Sequence, residues 1–205
     1  MLKPSHRSPS QEPSVFRSLG LAALLQQLEE GRLYSILDLG PARGTNLDFW
    51  SQIAGRICFE DFFRTWADEG FPKPEEGESH VPLFRRLLSF GESARFDIVL
   101  AWDLFNYLEP GQIEALVECL ARSCHTGAIL LAMISSAPTI PERPTVFRIL
   151  DREHLAYESG TGPVKTGPRY QPRDVARMVS GFQVMYSFLL RHGVQEYLFL
   201  RQDAP

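Results

Sequence analysis

Between Tyr34 and Glu60 the chain changes character four times, and that order restricts the folds open to it. Tyr34-Ser35-Ile36-Leu37-Asp38 is a short apolar run that stops at the glycine turn Leu39-Gly40-Pro41-Ala42-Arg43-Gly44. Short, nearly continuous hydrophobic runs suit strands covered on both faces, which implies a parallel sheet packed between helices. Residues 46–54 are compatible with a helix, Arg56-Ile57-Cys58-Phe59 reads as a second strand, and the acids Glu60 and Asp61 close the unit. A glycine turn between strand and helix sets backbone N–H groups at the carboxyl edge of such a sheet, where ligands of these folds bind. Glu60 stands 22 positions after Asp38, and a carboxylate there can accept both hydroxyls of an adenosine ribose. That spacing fits a nucleoside-containing cofactor.

The same logic extends in both directions. Leu21, Leu24, Leu25 and Leu28 fall at i, i+3, i+4 and i+7, one stripe of a helix that Gly31 would end. Phe96-Asp97-Ile98-Val99-Leu100-Ala101-Trp102-Asp103 is a further covered strand ending in a carboxylate. A helix opened by Pro110 repeats the stripe at Ile113, Leu116, Val117 and Leu120, and Gly127 breaks the chain before another apolar strand over residues 128–134. Residues 62–90 give no clear place for a third strand, because Phe62-Phe63-Arg64-Thr65-Trp66 and Leu83-Phe84-Arg85-Arg86-Leu87-Leu88 look more helical than extended around an acidic loop. Residues 135–167, rich in Pro and Gly, read as a long excursion with a short strand at Phe147. A last helix begins near Pro172, and two β-rich runs meeting at His192-Gly193 predict an antiparallel hairpin.

Composition sets the outer bounds. A chain of 205 residues, 44% hydrophobic, is expected to form one domain, here residues 15–205 behind a flexible tail of residues 1–14 rich in Pro and Ser. The 21 Lys and Arg against 25 Asp and Glu leave a net charge of −4, which disfavours nucleic acid and anionic membranes as partners. Cys58, Cys119 and Cys124 have neither disulfide nor metal-ligand spacing. No apolar run reaches the roughly 18 residues of a membrane span, so a soluble, cytoplasmic protein is expected.

Over residues 35–201 the chain resembles the class I S-adenosylmethionine (SAM)-dependent methyltransferases. Ile36-Leu37-Asp38-Leu39-Gly40-Pro41-Ala42-Arg43-Gly44 is similar to their first motif, Glu60 to their ribose acid, and the run ending at Trp102-Asp103 to their fourth strand. The terminal hairpin also matches them and disfavours a nicotinamide-dependent oxidoreductase. The resemblance implies an α/β, three-layer Rossmann-like methyltransferase fold, its sheet mostly parallel with an antiparallel C-terminal hairpin strand. It further implies SAM as cofactor, with Asp38, Gly40, Pro41, Ala42 and Gly44 toward its amino-acid portion, Glu60 at the ribose, and Trp102 and Asp103 near its methionine end and the substrate.

The implied reaction is methyl transfer to a small molecule or a protein side chain, catalysed mainly by positioning. Asp103 is the candidate base, with His154 beside it. Trp102-Asp103-Leu104-Phe105-Asn106-Tyr107 replaces the Asn-Pro-Pro-Tyr motif that works on exocyclic amines of nucleobases. Arg143, Arg148, Tyr157, Arg169 and Tyr170 in the excursion would suit an acidic or aromatic acceptor. Two substitutions support the alternative of a catalytically inactive interaction or regulatory module. Pro41 removes an N–H donor from the loop, and Ala42 adds a methyl where backbone and ligand come close.

Overall fold

The computed structural model describes residues 13–157, 162–190 and 193–202. Residues 1–12 of the expected tail and His192 of the expected hairpin joint lie outside them. The described chain begins with β1 (Ser14–Arg17), α1 (Leu19–Gln26), β2 (Tyr34–Asp38), α2 (Gly44–Trp50) and β3 (Ala54–Phe59). It continues with α3 (Phe62–Asp68), α4 (Val81–Leu87), β4 (Phe96–Trp102), a 3-10 turn (Leu104–Tyr107), α5 (Pro110–Arg122) and β5 (Cys124–Ser135). Four short strands follow, β6 (Thr139–Pro141), β7 (Phe147–Ile149), β8 (His154–Tyr157) and β9 (Val164–Thr166), then α6 (Pro172–Met178). The hairpin strands β10 (Phe182–Leu189) and β11 (Val194–Arg201) come last.

Six strands form the main sheet in the order β10-β11-β5-β4-β2-β3. Pairings β3–β2, β2–β4 and β4–β5 are parallel, and β11 runs antiparallel to both β5 and β10. The unbroken apolar runs have a direct cause in this arrangement. Leu37, Val99 and Leu130 point into the core under α3 to α6, while Ile36, Ile98 and Leu131 point into the core under α1 and α2. Both faces are covered, so neither set can alternate with polar residues. Three layers result, as the sequence predicts.

The sequence and the structure part at three places. Ser14, assigned to the tail, starts β1, which pairs antiparallel with β8 and buries only Phe16 in part, so its pattern is too thin to read. α2 ends at Trp50 and Ala54 already belongs to β3, which shortens the expected helix. Gly127, expected to precede its strand, lies inside β5 with φ +81°. Over residues 60–95 the two agree: the helical flanks expected there are α3 and α4, no third parallel strand forms, and β3 is the sheet edge. Phe62 and Trp66 sit one helical turn apart, and the Phe62 ring meets Phe84 edge-on at 5.0 Å, so these aromatics fill the core from helices.

Candidate functional site

Parallel sheets bind ligands where the strand order reverses, at the carboxyl ends of the strands on either side. Here that point lies between β2 and β4, whose last residues are Asp38 and Trp102. The two are bonded across it. The Trp102 Nε1–H donates to Asp38 Oδ1 at 2.6 Å, and the Gly40 N–H donates to the same oxygen at 2.9 Å. Asp38 is fully buried, and its Oδ2 has no hydrogen-bond partner. Burial pushes its pKa up to about 6 against smaller opposing pulls from Gly40, Trp102 and Asn46. A buried carboxylate oxygen without a donor is costly unless something supplies one.

The glycine turn is half covered. Gly40 lies under Trp102, so that a β-carbon added there would approach Trp102 Cδ1 to 3.1 Å. Pro41 is half-buried, Ala42 and Gly44 are exposed, and a β-carbon on Gly44 would meet nothing. The Ala42 methyl therefore points to no crowded backbone in this arrangement. Glu60 lies at the end of β3, 6% exposed, and its backbone N–H donates to the Asp38 carbonyl at 2.7 Å. Its side chain accepts from the Ser89 hydroxyl at 2.5 Å, and the Cys58 thiol lies 3.6 Å away. Asp38, Gly40, Glu60, Trp102 and Asp103 thus converge on one corner, as their strand-end positions predict.

Asp103 is engaged rather than free. Both of its oxygens accept from the Thr145 N–H, at 2.9 and 3.2 Å, and burial raises its pKa to about 6. His154 is not part of the corner: half-buried at the start of β8, it pairs with Asp151 of the β7–β8 connection at 3.0 Å. Of the excursion residues expected at a substrate pocket, Tyr170 instead donates to the Leu108 carbonyl at 2.5 Å. Tyr157 packs edge-on against Phe16 at 5.8 Å. Arg143 presents its carbonyl, which accepts from Tyr107 Oη at 2.7 Å.

Four residues of the corner escape sequence reasoning: Asn46, Ser89, Thr145 and Phe147. Asn46 is buried on the first turn of α2, donating to the Phe147 carbonyl at 3.2 Å and accepting from the Ile149 N–H at 2.9 Å. Its one signal is position, since Asn46 and Trp50 share the inward face one turn apart. Phe147 lies flat on Trp102, centroids 5.4 Å apart at 18°.

Among solved structures, the chain is similar to an S-adenosylmethionine-dependent methyltransferase from Mesorhizobium loti. Identity is 14%, 87% of this chain and 96% of that chain are covered, and the TM-score is 0.53. The chain has the class I methyltransferase fold. A second similar structure is the 1,6-didemethyltoxoflavin-N1-methyltransferase of Burkholderia thailandensis, at 15% identity, 90% and 78% coverage and TM-score 0.48. No family model matches the chain. No curated protein matches it either. Relative to the sheet that methyltransferases of this class share, the chain keeps the antiparallel strand β11 and has helices in place of the third strand. Among the described residues no helix is long and apolar enough to cross a membrane.

Proposed function

We propose that this methyltransferase-fold chain is a SAM-dependent methyltransferase acting on a small molecule or a protein side chain. The observation that carries it is the buried Oδ2 of Asp38, left without a donor at the strand-order switch point of this fold. The donor chemistry of the corner fits the cofactor. Asp38 offers an acceptor suited to an ammonium group, Glu60 offers a strand-end carboxylate suited to paired ribose hydroxyls, and the exposed side of the loop at Ala42 and Gly44 is open. SAM, when bound, supplies a methyl group already activated on a sulfonium. The chain's own part is to bind, orient and exclude water, which is catalysis by positioning. Asp103, tied to the Thr145 amide, holds the excursion over the corner and serves as a positioning residue in this arrangement.

Calorimetric titration with SAM and S-adenosylhomocysteine tests the assignment. Absence of heat with ligand near 1 mM, about the weak end of specific binding, overturns it. Glu60→Ala is expected to weaken binding roughly tenfold to a hundredfold by removing charge-assisted bonds, with the circular dichroism of the fold retained.

A second reading, a catalytically inactive interaction or regulatory module, is favoured by one observation. The Trp102 indole fills the space against Gly40, where a bound cofactor of this fold would need room. Loss of all cofactor binding in both the native chain and a Trp102→Ala variant would select that reading.

A further inference from the structure

An open sheet ends in edge strands, whose outer N–H and C=O groups can pair with any chain that reaches them. Among the described residues six strands stand at such edges: β1 and β7 of the three-stranded sheet, β6 and β9 of the two-stranded one, and β3 and β10 of the main sheet. Five of them carry a residue of the kind that blunts an edge. β1 has Arg17, β3 has Arg56, β7 has Arg148, β9 has Lys165, and β6 has Pro141. β10 has none. Its sequence Phe182-Gln183-Val184-Met185-Tyr186-Ser187-Phe188-Leu189 holds no charge and no proline, and at 8 residues it is the longest of the six.

The same strand is bare. Val184 is 37%, Tyr186 42% and Leu189 73% exposed, and the Tyr186 and Phe188 rings stack on each other at 6.1 Å. β11 takes one side of β10, and among the described residues no strand pairs with the other. The order of its residues says what fits there. Two copies related by a two-fold axis would meet along this strand antiparallel, which brings any charge on it close to its own like. A strand without charge escapes that penalty. The bulge between Val184 and Tyr186 lies at the middle of β10. It sets Val184 and Ser187 on the face of Phe199 and Tyr197, and Met185 and Tyr186 on the face of Leu198. A strand that meets itself about that middle therefore keeps every pair on one face: Val184 opposite Ser187, Met185 opposite Tyr186 and Phe182 opposite Leu189.

We propose that β10 is a dimerisation edge, which takes the β10 of a second copy of this chain, antiparallel, about a two-fold axis between Met185 and Tyr186. The two six-stranded sheets then run on as one. The outer backbone groups of β10 gain partners, and the exposed apolar side chains of both copies leave water together. The Asp38 corner lies beyond β11 and β5, between β4 and β2, so the dimer does not depend on what that corner binds. One strand pair with its flanking side chains is a small interface, and a Kd of about 10–100 μM is expected.

Sedimentation equilibrium of the full chain tests the pairing, with hydrogen exchange to locate it. A monomer–dimer equilibrium in that range is expected. Raising the protein from about 1 μM to about 1 mM should slow exchange of β10 amides about fivefold to tenfold, and leave the amides of the guarded edge β3 unchanged. Tyr186→Lys sets two ammonium groups beside the axis, and Ser187→Lys does so on the opposite face. Each is expected to weaken the dimer at least about tenfold with the circular dichroism retained. Leu33→Lys, at a 66% exposed site outside β10, should leave the dimer as it is. A chain that stays monomeric to about 1 mM overturns the proposal, and so does a dimer that neither lysine on β10 weakens. A monomer whose β10 amides exchange fast leaves the edge to a strand of another protein. One whose β10 amides exchange slowly at every dilution has the edge covered by its own residues. Both overturn the second copy as the occupant.

Discussion

Glu196 and Asp38 are both carboxylates buried against the main sheet, yet the protein treats them in opposite ways. Glu196 on β11 accepts from the Ser18 hydroxyl at 2.5 Å and the Gly20 N–H at 2.7 Å, so that it caps the first turn of α1 with its acceptors occupied. Burial raises its pKa, and the bonds from Ser18, Gly20 and Leu19 pull it back. Asp38 has donors on Oδ1 alone, and Oδ2 faces no partner. A saturated buried acid fastens two elements together. One with a spare acceptor keeps unspent binding capacity, which is why the Asp38 corner, and not the α1 seam, is the candidate site.

The largest expected effect breaks the saturated side. Glu196→Ala strands the donors of Ser18 and Gly20 and opens a void beside Leu131, at a cost of about 3 kcal/mol in chemical denaturation. A loss below about 1 kcal/mol would mean that the cap is dispensable and the contrast with Asp38 overstated.

Next in size is a pH effect on the unsaturated side. A carboxyl whose folded pKa is raised binds its proton more tightly in the native state. It therefore stabilises fully below its unfolded value near 3.8, and that stability is lost as pH rises through about 6. Asp38→Asn removes this dependence. Between pH 4 and pH 7 the native protein should lose on the order of 2 kcal/mol more than the variant, read from denaturation midpoints at the two pH values. Parallel pH profiles would show that Asp38 is not held as a costly buried charge. Asp103, raised to about 6 for the same reason, contributes equally to both proteins and cancels from the difference.

A smaller change sharpens the comparison. Trp102→Phe keeps a ring on Phe147 but removes the Nε1–H from Asp38 Oδ1, leaving the Gly40 amide. Stability should fall by about 1 kcal/mol. The Asp38 pKa should climb above its native value, because a donor to the charged form has been lost. Carboxyl carbon chemical shifts followed through a pH titration measure it, and an unshifted midpoint would show that the indole does not tune the acid. Smallest of all, Arg17→Ala opens the exposed Arg17–Glu153 pair at the edge of the α1 seam and should cost less than about 0.5 kcal/mol at moderate salt.

The site is legible in the sequence as far as local order carries it. Asp38, Glu60, Trp102 and Asp103 each end an apolar run, and a run covered on both faces has to stop where the strand reaches the sheet edge. The glycine turn is legible for the same reason. Partners brought together by the fold are not. Asn46 meets Phe147 across 101 positions, Asp103 meets Thr145 across 42, and Glu60 meets Ser89 across 29. No spacing rule links such pairs, so Asp103 reads as a free base until Thr145 is found on it. His154 shows the converse, a chemically suggestive residue that the chain places away from the corner, beside Asp151.

Taken by itself, the sequence determined the layered α/β plan, the place of the glycine turn and the antiparallel last strand, because unbroken apolar runs and the 3.6-residue hydrophobic period are local properties of a chain. Tertiary structure decided how that edge is used. Whether Asp38 keeps a free oxygen, whether Trp102 lies against Gly40, and whether Phe147 stacks on its ring depend on side chains far apart in the chain meeting in a close-packed interior. In such an interior a donor, a ring and a carboxylate gain their roles only from what surrounds them.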